Sequence, residues 1–323
     1  MKIRGVVLAA VLVGVMFLGI SCSNNAGSGS DSLKVGFSQI GAESAWRSAE
    51  TDSIRNEAVK RGVDLKFSDA QQKQENQIKA LRSFIAQRVD AIILAPVVET
   101  GWEPVLKEAK KAGIPVILVD RGVNVSDDSL YTTLIASDFV EEGRMAGKWL
   151  VEKLGGNGNI VELQGTPGAA PAIDRKKGFE EAVAESPGMK IVKSQTGEFT
   201  RSKGKEVMET YLSAARAEGL KIDAVYAHND DMALGAVQAI EEAGLKPGSD
   251  IIIVSIDGVK AAFEAMVDGK LNVTVECNPL LGPAAFDAVE KAVAGESLEK
   301  KIIVRDEVFD QSVAAEVLPT RQY

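Results

Sequence analysis

From Leu33 onward, short apolar runs alternate with stretches whose apolar positions recur every three or four residues. The run "DAIILAP" is continuously apolar between Asp and Pro, which is typical of a strand buried on both faces. In "ENQIKALRSFIAQRV", Ile78, Leu81 and Ile85 fall on one face of a helix. Alternating strands and helices predict parallel sheets. About ten strands are too many for one compact sheet, so we expect an α/β fold of two similar doubly wound parallel-sheet lobes.

The segments that follow the predicted strands hold the candidate site. In parallel sheets a ligand binds outside the carboxyl ends of the strands. These segments include "FSQIGAESAWR", "VDRG", "AHNDD" and "IDG", and they are dominated by Asp, Asn, Gln and Arg with an occasional aromatic residue. They contain no histidine cluster, paired cysteine motif or serine nucleophile elbow. The pattern therefore favours binding of a polar ligand over catalysis.

The only histidine, His228, ends the predicted strand "VYAH". Transition-metal sites need three or four N, S or O ligands, and "NDDMALG" lacks the spacing of a calcium loop. We therefore expect a structural histidine and no metal. We expect the aspartates after Asn229 to cap the next helix, which leaves Asn229 to a ligand; a cap-only role for Asn229 is the alternative.

Asp120 and Arg121 end the predicted strand "IPVILV". A buried carboxylate and guanidinium are unfavourable unless both are hydrogen-bonded. A polyhydroxyl ligand satisfies both, because its hydroxyls donate to the carboxylate and its oxygens accept from the guanidinium. Asp257 in "SIDG" and Arg175 in "AIDR" repeat this chemistry, although Arg175 as a solvated helical charge is an alternative. Trp46 offers a flat apolar face to a sugar ring, with core packing as the alternative.

The first residues of the chain read as a targeting segment. Lys2 and Arg4 precede "GVVLAAVLVGVMFLGI", which is too short for a comfortable membrane span. Cys22 ends a segment similar to a bacterial lipoprotein processing box, and residues 23–32 read as a flexible linker. We therefore predict a signal peptide over residues 1–22, lipidation of Cys22, and a location in the periplasm or at the cell surface. Plain cleavage without lipidation is the alternative.

Composition narrows the class of partner. The net charge of −9 and the lack of a long Lys/Arg stretch make nucleic acid a poor partner. The glycine-rich "GGNGN" lacks the spacing of a phosphate-binding loop, so no nucleotide and no other cofactor is expected. Lipidation of Cys22 would leave Cys277 unpaired, so no disulfide is expected.

Stretches spread from Leu33 to Gly282 resemble one protein family. They include "VGFSQIGAESAWRSAE", "QQKQENQIKALRSFIAQ", "APVVETGWEPVLKEAK", "VELQGTPG", "AIDRKKGF", "FTRSKGKEVME", "VYAHNDDM", "EAGLKPG" and "SIDG". The chain resembles the periplasmic sugar-binding proteins of bacterial ABC importers, of the ribose/galactose type. The resemblance weakens after "LEKKIIV".

The resemblance implies a two-lobed clamp with three hinge-crossing strands. One lobe would hold residues 31–136 and 279–307, and the other residues 137–278 and 308–323. A monosaccharide would bind between them, with galactofuranose as the best candidate and arabinose, fructose or ribose as alternatives. The implied role is a monomeric, non-enzymatic component that delivers sugar to an ABC permease and its ATPase.

Three other roles use a similar fold or pocket. The first is a sensor that presents bound sugar to a chemoreceptor or histidine kinase. The second is an exported sugar-modifying enzyme with Asp120 and Asp257 as paired carboxylates. The third, a sugar-responsive repressor, is disfavoured because a signal segment stands where its DNA-binding helices would be.

The resemblance, together with the strand-end residues above, implies ligand contacts from both lobes. They are Trp46, Arg47, Asp120, Arg121, Asp138, Arg175, Phe199, Asn229, Asp257 and Glu276. Arg47 stands where pentose binders place a second aromatic residue, and Glu276 stands at a position that is often glutamine. These departures imply a sugar that is more hydroxyl-rich than ribose, or differently oriented.

Overall fold

The structure is a computed structural model that describes Met1 and residues Ser32–Tyr323. The predicted signal peptide beyond Met1, the linker before Ser32 and Cys22 lie outside the described residues. Within residues 32–323, no helix has both the length and the apolar character needed to cross a membrane.

Strands and helices alternate along residues 32–323. In the first half they are β1 (Lys34–Gln39), α1 (Ala45–Arg61), β2 (Asp64–Asp69), α2 (Gln74–Gln87), β3 (Ala91–Leu94), α3 (Glu103–Lys111), β4 (Val116–Val119), β5 (Thr133–Ser137), α4 (Phe139–Lys153), β6 (Asn157–Gln164) and α5 (Ala170–Ala184). The second half contains β7 (Gly188–Thr196), α6 (Arg201–Glu218), β8 (Ala224–Ala227), α7 (Asp230–Glu242), β9 (Ile252–Asp257), α8 (Lys260–Val267), β10 (Val273–Glu276), α9 (Gly282–Val293), β11 (Lys301–Val304), β12 (Val308–Asp310) and α10 (Gln311–Val317). Short 3-10 helices cover Asp128–Leu130 and Leu318–Thr320.

The strands form two six-stranded sheets with matching order. The first sheet runs β11-β5-β4-β3-β1-β2, and the second runs β12-β10-β9-β8-β6-β7. Neighbours in the first sheet are all parallel. In the second sheet only β12 runs antiparallel, against β10. We call each sheet with the helices packed on it the first or second lobe, and the predicted two-lobed α/β fold class is confirmed.

The first sheet is covered on both faces, as the continuous apolar run at β3 predicts. Ala91 and Ile93 belong to one buried cluster, whereas Ile92 and Leu94 belong to another. Successive side chains of a strand point to opposite faces, so these are the two cores on either side of the sheet.

The chain passes between the two sheets three times. It leaves the first sheet after β5, returns after β10 to build α9 and β11, and leaves again between β11 and β12. Helix α9 then packs against α1 of the first lobe, while α4 packs against α5 and the second sheet. The carboxyl ends of the strands of both lobes meet around one cavity, which is where a ligand is expected.

Candidate functional site

A cavity of about 280 Å³ lies between the two lobes. The lining residues come from seven strand ends and are Glu43, Ser44, Trp46, Arg47, Asp120, Arg121, Pro171, Arg175, Phe199, Asn229, Asp257 and Cys277. Eight of the ten predicted ligand contacts are among them.

Arg47 is the centre of the polar groups that the first lobe contributes. Its Nε donates to Glu43 Oε1 at 3.0 Å, its Nη2 donates to Asp120 Oδ2 at 2.6 Å, and its Nη1 donates to Glu50. Burial disfavours its charge, but the carboxylates of Asp120, Glu50 and Glu43 outweigh burial and raise the pKa of Arg47 well above its ordinary value. Arg47 is therefore a fixed cation in the cavity wall.

Arg121 is the second guanidinium of the first lobe. Its Nη1 donates to the Val97 carbonyl oxygen at 3.0 Å, and its Nη2 lies 3.8 Å from Glu43 Oε1. Its Nε is buried without a hydrogen-bond partner among the described residues, and the same holds for Glu43 Oε2. Burial and the neighbouring charge of Arg47 lower the pKa of Arg121 to about 10. Arg121 Nε lies 3.5 Å from Asp120 Oδ2, too poorly placed for a hydrogen bond. A donor and an acceptor that lack hydrogen bonds, on two residues that line one cavity, match a ligand that can both donate and accept.

Arg175 is the guanidinium that the second lobe contributes to the cavity wall. Its Nε donates to Glu142 Oε2 at 2.6 Å, its Nη1 donates to the His228 carbonyl oxygen at 2.6 Å, and its Nη2 lies 3.7 Å from Asp257 Oδ1. Burial raises the pKa of Glu142, and it raises the pKa of Asp257 well above its ordinary value. The positive charge of Arg175 opposes both shifts. Arg175 is only 3% exposed, so it is not a solvated charge on a helix surface, which was the alternative.

Close packing of α4 on α5 fixes Arg175. A Cβ atom at Gly178 would lie 1.8 Å from the Val140 carbonyl oxygen, so only glycine permits this approach. The same helix pair brings Glu142 of α4 to Arg175 of α5.

Two aromatic rings line the cavity from opposite lobes. Trp46 Nε1 donates to the Cys277 carbonyl oxygen at 2.5 Å, and its ring joins the buried cluster of the second lobe. Trp46 therefore both packs in a core and lines the cavity. The Phe199 ring lies 5.2 Å from the Arg121 guanidinium carbon, a cation–π contact between the lobes.

Three cavity residues adopt positive φ angles that non-glycine residues rarely adopt. The values are +60° for Asp120, +61° for Phe199 and +130° for Asp257. Such backbone strain persists where the surrounding structure enforces it, and it clusters at functional sites. Here it directs side chains at strand ends towards the ligand cavity.

In the segment "HNDD", the residue that caps the following helix is not the one that the sequence predicts. Asn229 is itself the N-cap of α7, with its Oδ1 accepting from the Met232 amide and its Nδ2 donating to the Phe199 carbonyl oxygen. The prediction that the following aspartates cap the helix is therefore wrong. Asp230 is buried and accepts four hydrogen bonds instead, and His228 donates from Nε2 to Glu162. Burial lowers the pKa of His228, so it is a neutral structural residue.

Two predicted contacts lie away from the cavity lining. Asp138 is the exposed N-cap of α4, where its Oδ1 accepts from the Glu141 amide. Glu276 accepts from Arg321 Nη1 at 2.8 Å and from the Tyr323 hydroxyl at 3.0 Å. Asp138 follows β5 and Glu276 ends β10, but their oxygens are occupied by a helix end and by the C-terminal segment.

Three carboxylates that hold the site together are absent from the predicted set. Glu43 and Glu50 stand four residues before and three after Arg47, a spacing that predicts contact on or beside a helix. Glu142 carries no comparable signal, because its partner Arg175 is on another helix. Within residues 32–323 no group of His, Cys, Asp or Glu side chains has the arrangement of a metal site.

Comparisons with known proteins agree with this geometry. A family model described as a periplasmic binding protein domain matches residues 35–297. The chain is 56% identical over 292 residues to the galactofuranose-binding protein YtfQ of Escherichia coli, covering 90% of this chain and 92% of that protein.

Two solved structures are similar over most of their length. The binding protein of the arabinose ABC transporter from Shewanella sp. ANA-3, bound to α- and β-L-arabinofuranose, has a TM-score of 0.87 and 60% identity, covering 90% of this chain and 95% of that one. A Mycobacterium smegmatis protein in complex with β-D-fucofuranose has a TM-score of 0.88 and 54% identity, covering 90% and 96%. The chain therefore belongs to the periplasmic binding protein family.

Proposed function

We propose that this protein is the extracytoplasmic binding component of an ABC sugar importer, and that it binds a monosaccharide in its furanose form. Galactofuranose is the best candidate, with arabinofuranose next. The main support for the proposal is the composition of the cavity. Guanidiniums and carboxylates from both lobes line it together with the aromatic rings of Trp46 and Phe199. The relatives named above bind galactofuranose, arabinofuranose and fucofuranose.

The chemistry of the cavity suits a neutral polyol. Carboxylates of Asp120 and Asp257 accept from hydroxyl groups, while Arg121 and Arg175 donate to hydroxyl and ring oxygens. Trp46 presents an apolar face to the C–H side of the sugar. About eight to ten hydrogen bonds of about 1 kcal/mol each, with one ring contact, correspond to a Kd of about 1 μM or tighter. The role requires binding and release, with no covalent step.

Capture occurs by closure of the two lobes. We propose that the first lobe consists of residues 31–136 and 279–307, and the second lobe of residues 137–278 and 308–323. The three passages of the chain between the two sheets support this division. Direct contacts join them: the Glu99 amide donates to the Gly168 carbonyl oxygen at 2.9 Å, and the Ala45 amide donates to Asp231 Oδ2 at 2.7 Å. Contacts made only in the closed form allow the ligand to shift the population towards closure.

The closed form would dock on a permease that works with an ATPase. We further propose that the protein is exported by a signal peptide over residues 1–22, is lipid-anchored through Cys22, and acts as a monomer with residues 23–32 as its tether. The support is the order of a basic, an apolar and a small-residue segment before Cys22.

Calorimetric titration of the purified protein tests the proposal. D-galactose, L-arabinose, D-fructose, D-ribose and D-xylose are titrated into wild type, Asp120→Ala and Arg175→Ala. The control Glu108→Ala removes an exposed carboxylate that also pairs with an arginine, Arg82. We expect one-to-one binding of galactose or arabinose, lost in the two cavity variants and kept in the control. Folded wild type that binds no sugar of the panel would contradict the proposal.

A further inference from the structure

Glu50 lies behind Arg47, outside the cavity lining. Its side chain is fully buried in α1, and its Oε2 accepts from Arg47 Nη1 and from Gln39 Nε2, the latter at 3.0 Å. Its Oε1 is buried without a hydrogen-bond partner among residues 32–323. A carboxylate in such a place is unfavourable for folding alone, which points to a role in the site.

Gln39 fixes the position of this carboxylate. It is the last residue of β1, and its Oε1 accepts from the Ile40 amide at 2.7 Å. Its Nε2 also donates to Thr51 Oγ1 at 3.0 Å. Every polar atom of the Gln39 side chain is therefore engaged, and Glu50 is held between the end of β1 and the body of α1.

The three carboxylates that accept from Arg47 differ in their access to a ligand. Glu43 and Asp120 line the cavity, so hydroxyl groups of a bound sugar compete for their oxygens. Glu50 does not line the cavity, and its bond to Arg47 is unaffected by that competition. Arg47 has five N–H groups, so those not given to carboxylates remain for the sugar.

We propose that Glu50, held by Gln39, is a positioning residue for sugar binding that keeps the Arg47 guanidinium oriented towards the ligand. The inference rests on the proposed function, because it names a residue that acts on the sugar through Arg47. It also predicts how affinity depends on pH.

The charged groups that interact with Glu50 are Arg47 on α1 and Asp120 and Arg121 after β4, and Glu43, before α1, shares Arg47 and Arg121 with it. Burial raises the pKa of Glu50 to about 7; the charge of Arg47 opposes this and that of Asp120 adds to it. Above pH 7 the anion anchors Arg47 with a charge-assisted hydrogen bond, and below pH 7 protonation weakens that anchor. Affinity for sugar should therefore fall as the pH drops below about 7.

The test measures sugar affinity from pH 5.5 to 8.5 in wild type, Glu50→Gln and Glu50→Ala. L-arabinose and D-galactose serve as probes, and the melting temperature of each variant is measured alongside. Glu57→Gln is the matched control, because Glu57 lies on the same helix and also pairs with an arginine, Arg61, away from the cavity. Glu50→Gln keeps the shape of the side chain and resembles its protonated form.

We expect Glu50→Gln to bind about tenfold more weakly than wild type at pH 8, with little change between pH 6 and 8. Glu50→Ala should bind more weakly still, and Glu57→Gln should follow wild type. If wild type binds sugar and Glu50→Gln has the same affinity and pH profile, the positioning role is refuted while the proposed function stands. If wild type binds neither probe, the proposed function fails and the inference fails with it.

Discussion

A carboxylate that touches both lobes offers a test of closure that is independent of sugar contacts. Asp231, in the first turn of α7, accepts from the Ala45 amide of α1 through Oδ2 at 2.7 Å. Its Oδ1 accepts from Arg201 Nε at 2.9 Å within the second lobe. The Ala45 amide is one of the N–H groups that a helix leaves unpaired at its start, and an anion there is favoured by the helix dipole.

The magnitude follows from the charge and the burial of this contact. Asp231 is 6% exposed, so its bond to the Ala45 amide is screened little by water. A hydrogen bond to a charged group contributes about 1.5–3 kcal/mol. The bond forms only when the lobes meet, so Asp231→Ala removes that amount from the closed form. At about 1.4 kcal/mol per factor of ten, sugar affinity should fall roughly 10- to 150-fold, mainly through faster release.

The assay combines calorimetry, stopped-flow release and small-angle scattering. Asp231→Ala should weaken binding and reduce the sugar-dependent decrease in radius of gyration, although Asp231 does not line the cavity. Arg201→Ala is the control, because it removes the pairing within the second lobe and leaves the bond between lobes. Equal affinities for Asp231→Ala and wild type would refute the closure contact, and equal losses in both variants would assign the effect to the stability of α7.

Three other predictions concern buried charges. Arg175→Ala leaves Glu142 and Asp257 buried without their cation, so it should lower the free energy of unfolding by about 3–5 kcal/mol, measured by urea denaturation. Asp230→Ala removes the acceptor of four buried hydrogen bonds and should lower the melting temperature by several degrees or more, whereas an unchanged melting temperature would contradict that role. Burial and the charge of Glu142 raise the pKa of Asp306, between β11 and β12, to about 8. The folded state thus binds this proton more tightly than the unfolded state, so the stabilisation is full below the ordinary carboxyl pKa and is lost as the pH rises through about 8. The melting temperature of wild type should therefore fall as the pH rises from about 4 to about 8 and level off above pH 8, and Asp306→Asn should flatten that slope.

The sequence could predict those parts of the site that follow from strand order. The rule that ligands bind at the carboxyl ends of parallel strands located Asp120, which directly follows the apolar strand β4, and Asp257, which is the last residue of β9. It does not separate these residues from Asp138, which follows β5, and Glu276, which ends β10, because it does not say whether a carboxylate turns to the cavity, a helix end or another chain segment.

Other features depend on contacts between elements that sequence spacing does not encode. Glu142 meets Arg175 only because α4 and α5 pack closely at Gly178. The hydrophobic pattern gives little signal for β11 and β12, since they are short and half exposed at the sheet edges. Edge strands lack the continuous apolar signal of central ones.

The proposed function requires that the cavity between the lobes select the furanose form of a monosaccharide. Carbon-13 NMR of D-galactose labelled at C1 tests it directly, because furanose and pyranose anomeric carbons resonate separately. Protein is added in excess of the furanose fraction, with Asp120→Ala as the control. We predict that wild type depletes the free furanose signals and yields a bound furanose resonance, while Asp120→Ala leaves the spectrum unchanged. A bound resonance from a pyranose form alone, or no bound resonance from folded wild type, would contradict the account.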